Sequence, residues 1–217
     1  LLAIFADGEH HPRQWGVRMR LKKLRLAVSA TALVAAGQAH AGDKVLSGPP
    51  PEWVVAHPVP SAPPASADLP LQILEFDTQV HVEGNTQTIY SAGAMKFLKP
   101  QGLQGGDLNL SWDPATETLT VNKVMIHRGD KTIDVLGQGQ TFTVLRREQD
   151  LEQSTLTGQL TANLFPEGLQ VGDVLEIVST RTRSNPVTGD HAEEVFGPLN
   201  IPAGRISVSL EWPKGKI

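Results

Sequence analysis

The sequence predicts a mainly β protein: an antiparallel β-sandwich of about nine or ten strands, preceded by an N-terminal signal peptide and a Pro-rich linker. Three observations point there. From Leu71 onward apolar and polar residues alternate with a period of two, as on a strand with one oily face. Turn signals rich in Gly, Asn, Asp and Pro recur at the spacing of a sandwich or barrel, roughly every ten residues. No stretch after Gly42 carries the 3.6-residue period of a helix.

Leu74, Phe76, Thr78, Val80 and Val82 alternate with Glu75, Asp77, Gln79, His81 and Glu83, so the first set is expected to face a core and the second water. Glu83-Gly84-Asn85 is a turn, and Ile89, Met95 and Phe97 share a face of the next strand. Residues 102–106 read as a flexible Gly-rich hairpin loop. Leu108, Leu110 and Trp112 alternate, and Asp113-Pro114 opens a turn in which the Asp side chain can bond the backbone two residues on. Leu119, Val121 and Val124-Met125-Ile126 form a strand, Arg128-Gly129-Asp130-Lys131 a turn, and Ile133 and Val135 begin another strand. Phe142, Val144 and Arg146 alternate, then the polar run Arg146-Arg147-Glu148-Gln149-Asp150-Leu151-Glu152 breaks the pattern. Leu156, Leu160, Ala162 and Leu164 follow. Val174-Leu175-Glu176-Ile177-Val178, apolar on both faces, is expected to be a central strand. Ile206, Val208, Leu210 and Trp212 make the last.

Upstream, Met19-Arg20-Leu21-Lys22-Lys23-Leu24-Arg25 is a basic n-region, followed by a small-residue apolar run at 26–37 and a small-x-small site, Ala39-His40-Ala41. These three features in that order read as a secretory signal peptide over residues 19–41, cut before Gly42. The expected location is therefore periplasmic or secreted. The apolar run is shorter than the ~20 residues a spanning helix needs, so the exported form is not expected to cross a membrane. Residues 1–18 read as a non-native leader, 42–70 as an extended Pro/Ala-rich linker, and 71–217 as a β-sandwich domain that is C-terminally incomplete. In the linker, Trp53 is expected to dock the tail onto the body.

Composition narrows the function. Residues 1–41 hold six Lys/Arg and two Asp/Glu, leaving a net charge of −8 for the remainder. An acidic body with only 5% aromatic residues suits neither phosphate backbones nor base stacking, so no nucleic-acid partner is expected. The sequence has no cysteine, which removes disulfides, thiolate metal sites and thiol nucleophiles. No nucleophile elbow or phosphate-binding loop occurs. His81 and His127 stand alone on strands, without the close pairing of a zinc site, and read as solvated or hydrogen-bonded structural histidines. Asp190-His191-Ala192-Glu193-Glu194 reads as a solvated acidic loop. Arg146-Arg147-Glu148 reads as a structural charge cluster in which one Arg pairs with Glu148 or Glu176, the alternative being a site for a carboxylate ligand. No catalytic, cofactor-binding or metal-ligating set is predicted, and no cofactor.

Five blocks in order carry a resemblance. They are Ile73-Leu74-Glu75-Phe76-Asp77-Thr78-Gln79-Val80; Trp112-Asp113-Pro114-Ala115-Thr116-Glu117-Thr118-Leu119-Thr120-Val121; Ile126-His127-Arg128-Gly129-Asp130-Lys131-Thr132-Ile133-Asp134; Val144-Leu145-Arg146-Arg147-Glu148; and Val171-Gly172-Asp173-Val174 with Asn185-Pro186-Val187. Together, over roughly residues 70–212, they resemble the DUF3857 family. The resemblance implies an exported bacterial β-sandwich that usually precedes a transglutaminase-like domain with a papain-like Cys-His-Asp triad. It implies no catalytic residues in this domain. The expectation is a non-catalytic accessory or scaffolding module, partnered by a transglutaminase-like domain absent from this chain. The alternatives are a fragment of a truncated transglutaminase-like enzyme, distinguished by reading the downstream DNA, and a carbohydrate- or peptide-binding sandwich using an exposed Trp53 or Trp212.

Overall fold

A computed structural model of the chain describes residues 41–62, 68–146, 158–184 and 203–213. The chain divides into two units, Leu1–Gly37 and Gln38–Ile217, and the first lies outside the described residues. So do the expected leader, all but the last residue of the expected signal peptide, the Asp190–Glu194 loop, and Arg147 and Glu148.

The described residues form ten strands: β1 Leu46–Ser47, β2 Leu71–Glu83, β3 Thr86–Phe97, β4 Leu108–Trp112, β5 Glu117–Arg128, β6 Lys131–Asp134, β7 Thr143–Arg146, β8 Leu160–Leu164, β9 Val174–Ser184 and β10 Ala203–Glu211. The fold is mainly β, as predicted. The larger sheet runs β1-β5-β9-β3-β2-β10, with β6 also pairing β5, and the smaller runs β4-β8-β7. The larger sheet is mixed. Most neighbours are antiparallel, but β1 lies parallel to β5 and β10 parallel to β2. β9, the strand apolar on both faces, is central between β5 and β3.

The core lies where one face of the larger sheet meets the smaller sheet. Phe97, Val121, Val124, Ile126 and Leu175 on the first pack with Leu108 and Leu164 on the second, and Val135 joins them. A second cluster, Trp112, Leu119, Leu160 and Ala162, extends it. Burying each large apolar side chain contributes about 1.5–3 kcal/mol. A bulge between Val121 and Lys123 shifts β5 by one residue. It therefore turns Val124 and Ile126 inward on the same side as Leu119 and Val121.

Local chemistry sets the turns. Asp113 accepts from the Ala115 amide at 2.9 Å through Oδ1, the predicted side-chain turn. The Gly-rich stretch is not a free loop. It forms a 3-10 helix over Pro100–Gly106, and a methyl group on Gly102 would overlap the Pro70 carbonyl. Gly102 is there for close backbone approach, not for flexibility.

The alternation of β2 is real, and Leu74, Thr78 and Val80 are buried as expected, but the opposite, polar set is buried as well. Glu75, Asp77 and Gln79 are buried, whereas Phe76 is 41% exposed. The polar face of this sheet is covered, and its cover defines the candidate site.

Candidate functional site

Residues 51–62, read from composition as linker, lie across the polar face of the larger sheet as a strap. Gln79 clasps the strap's backbone: its Oε1 accepts from the Val55 amide at 3.0 Å and its Nε2 donates to the Val55 carbonyl at 2.8 Å. The same Nε2 donates to Asp77 Oδ2 at 2.8 Å. Trp53 stacks on His81 with ring centroids 5.1 Å apart and, with Val54, packs on Tyr90, Ala92 and Val178. The predicted docking role of Trp53 is thus observed. One ring face is taken, so Trp53 is not the free binding platform considered from sequence.

β10 completes this layer from the other side. Its parallel register sets Arg205 beside Glu75, Ser207 beside Asp77 and Glu211 beside His81. Arg205 Nη2 bonds both Glu75 Oε1 and, at 2.9 Å, the Pro58 carbonyl, so one guanidinium ties edge strand, neighbouring strand and strap together. Ser207 donates to Asp77. Each buried carboxylate therefore has a partner, as burial of charge requires. Tyr90 lies amid them. Burial, then the carboxylates of Asp77, Glu75 and Glu176, push its phenol up to about 12.

Farther along the same face, Glu176 is held on both oxygens: Oε1 by Lys123 Nζ and Oε2 by His127 Nε2 at 2.8 Å. Among the described residues these are its partners, and Arg146, one of the two arginines that the sequence offered to Glu148 or Glu176, is not one of them. Arg146 ends β7 and is exposed, because β7 belongs to the other sheet. His81 and His127 both take structural partners, Glu211 at 3.4 Å and Glu176, in line with their reading from sequence. Under the strap, His57, Pro58, Val59, Pro60, Ser61 and Ala62 enclose with Leu74, Lys96, Lys123, His127, Val174 and Glu176 a cavity of about 500 Å³. Among the described residues no His/Asp/Glu group has the arrangement of a metal site.

Away from the strap, Arg128 grips buried Asp173 with two hydrogen bonds, Nε to Oδ1 at 2.8 Å and Nη2 to Oδ2 at 2.7 Å. The Gln170 amide also donates to Oδ2. The Arg128 bond outweighs burial and holds the Asp173 carboxyl below its ordinary range. This pair fixes the turn into β9 and touches neither cavity nor strap.

The opposite face of β10 is apolar and open. Ile206, Val208 and Leu210 are 54%, 48% and 55% exposed, and Phe76 and Trp212 are exposed beside them. Register places Ile206 next to Phe76. The alternation was legible in sequence, but nothing in the sequence reported that the polar side of β10 would pair inward and leave its oily side outside.

These features define a mixed-sheet β-sandwich with a strapped polar face and an apolar edge. Residues 84–217 match the model of a family described as a domain of unknown function with solved structure, DUF3857, and the chain belongs to that family. The match begins beyond the Ile73–Val80 block and takes in the other four. No curated protein matches the chain. Among solved structures, a candidate protease from Parabacteroides distasonis is similar at 11% identity and a TM-score of 0.46, over 53% of this chain and 23% of that one. The chain thus spans under a quarter of that protein's length. Among the described residues no helix is long and apolar enough to cross a membrane.

Proposed function

We propose that this chain is an exported, non-catalytic accessory domain that docks and positions a transglutaminase-like thiol domain. The observation that carries the reading is the apolar ridge of Ile206, Val208 and Leu210 with Phe76 and Trp212. Contiguous exposed apolar side chains on a folded domain mark a contact surface. Family membership supports the choice of partner, since the family resembles modules that precede such domains. The sequence contains no cysteine, so the thiol of the reaction would come from the partner.

The test is sedimentation of the purified chain with a transglutaminase-like domain taken from a family member that carries both. The wild-type chain is expected to co-sediment. An Ile206→Lys/Leu210→Lys variant, with its far-ultraviolet circular dichroism unchanged, is expected to bind at least about tenfold more weakly, because two charges would be desolvated at the contact. Equal binding by the variant, or amide cleavage or transamidation by the chain alone, would overturn the proposal.

A further inference from the structure

We infer that the cavity beneath the strap is a binding site for a small monocarboxylate with an apolar body, about the size of a dipeptide. The inference is independent of the accessory-domain reading. Its volume of about 500 Å³ falls in the usual range of small-molecule sites.

The charges in the cavity are unbalanced. Both oxygens of Glu176 are engaged, by Lys123 and His127. Lys96 lines the same cavity and has no acidic partner among the described residues. Register sets Lys96 and His127 on either side of Val174, across three adjacent strands. With strands about 4.8 Å apart, their backbones are about 10 Å from each other, and a carboxylate fits between. Lys96 supplies the uncommitted positive charge, and Lys123 is the second cation in reach. Glu176 selects the valence of the ligand. Its fixed negative charge disfavours a dianion such as a phosphate monoester more than it disfavours a monoanion. Leu74 and Val174 on the floor, and Pro58, Val59 and Pro60 in the strap, meet the apolar body. Arg205 pins this wall through the Pro58 carbonyl, so the cavity is preformed.

A peptide C-terminus and a free organic acid share this chemistry. The test is a nuclear magnetic resonance titration of the isotope-labelled full chain with N-acetyl-Ala-Ala, its C-terminal amide, butyrate and inorganic phosphate. The free acid is expected to shift the amides of Lys96, Lys123, His127 and Val174, and the amide derivative to leave them unmoved. Stronger binding by N-acetyl-Ala-Ala than by butyrate assigns the site to a peptide terminus; equal binding assigns it to free acids. Lys96→Met is expected to weaken binding about tenfold or more, the loss of one charge-assisted hydrogen bond, and Lys96→Arg to restore it. The spectrum remote from the cavity reports that both variants fold. Equal binding of acid and amide, unchanged affinity in Lys96→Met, tighter binding of phosphate, or no shift with either acid would overturn the assignment.

Discussion

Gln79 shows how one side chain can substitute for a strand. Its amide offers a donor and an acceptor in the plane that a neighbouring backbone would use, and it clasps Val55 with both. From sequence, Gln79 falls on the polar side of an alternating strand and reads as solvated. An amide in a polar column carries no mark of whether water or backbone will satisfy it, so the alternation was readable and the burial was not. Tyr90 makes that burial measurable. It is the sole tyrosine of the chain, so an ultraviolet absorbance titration reports it alone. The folded protein is expected to ionise near 12, against 10.0 for an exposed phenol. An ordinary value in the folded state would mean that the strap does not shield the sheet. The raised folded value also sets the sign of the alkaline limb. The contribution is fully present below 10.0 and is lost as pH rises from there through about 12, because the unfolded phenol ionises first.

At the level of elements, the N-terminal segment illustrates what composition conceals. A stretch dense in proline and small residues has no period, and it reads as linker because neither helix nor sheet can form from it. Its order here comes from partners far away in sequence. The buried Trp112 indole donates to the Gly42 carbonyl, Asn122 donates to the Gly48 carbonyl at 3.0 Å, and β1 pairs with β5. Gly42 sits so close to the Asp113-Pro114 turn that a methyl group there would overlap the Pro114 carbonyl oxygen. Gly42→Ala is therefore expected to cost about 1–3 kcal/mol, as overpacking does. In hydrogen exchange it should also release the Leu46–Ser47 pairing while leaving β9 protected. A variant as stable as wild type would show that this segment tolerates a shift. The turns, by contrast, were legible because their chemistry is local: Asp113 bonds the amide two residues on whatever the rest of the chain does.

Across the whole molecule, the two sheets share one apolar cluster, with Leu175 of the central strand fully buried within it. Leu175→Ala is expected to destabilise by about 2–5 kcal/mol through lost burial and the cavity left behind. Urea unfolding should stay a single transition by fluorescence and circular dichroism, because the main core draws its residues from both sheets. Two separated transitions would show that the layers fold independently. The parallel pairing of β10 with β2 has a temporal consequence. Arg205 and Ser207 reach their carboxylates across 130 residues of chain. The ribosome releases the N-terminal end first, so nascent Glu75 waits hydrated, and Asp77 has only Gln79 of its own strand, until β10 has been synthesised. Closure of this edge follows the making of β10, and a polypeptide stalled before Ala203 would hold two acids still lacking Arg205 and Ser207.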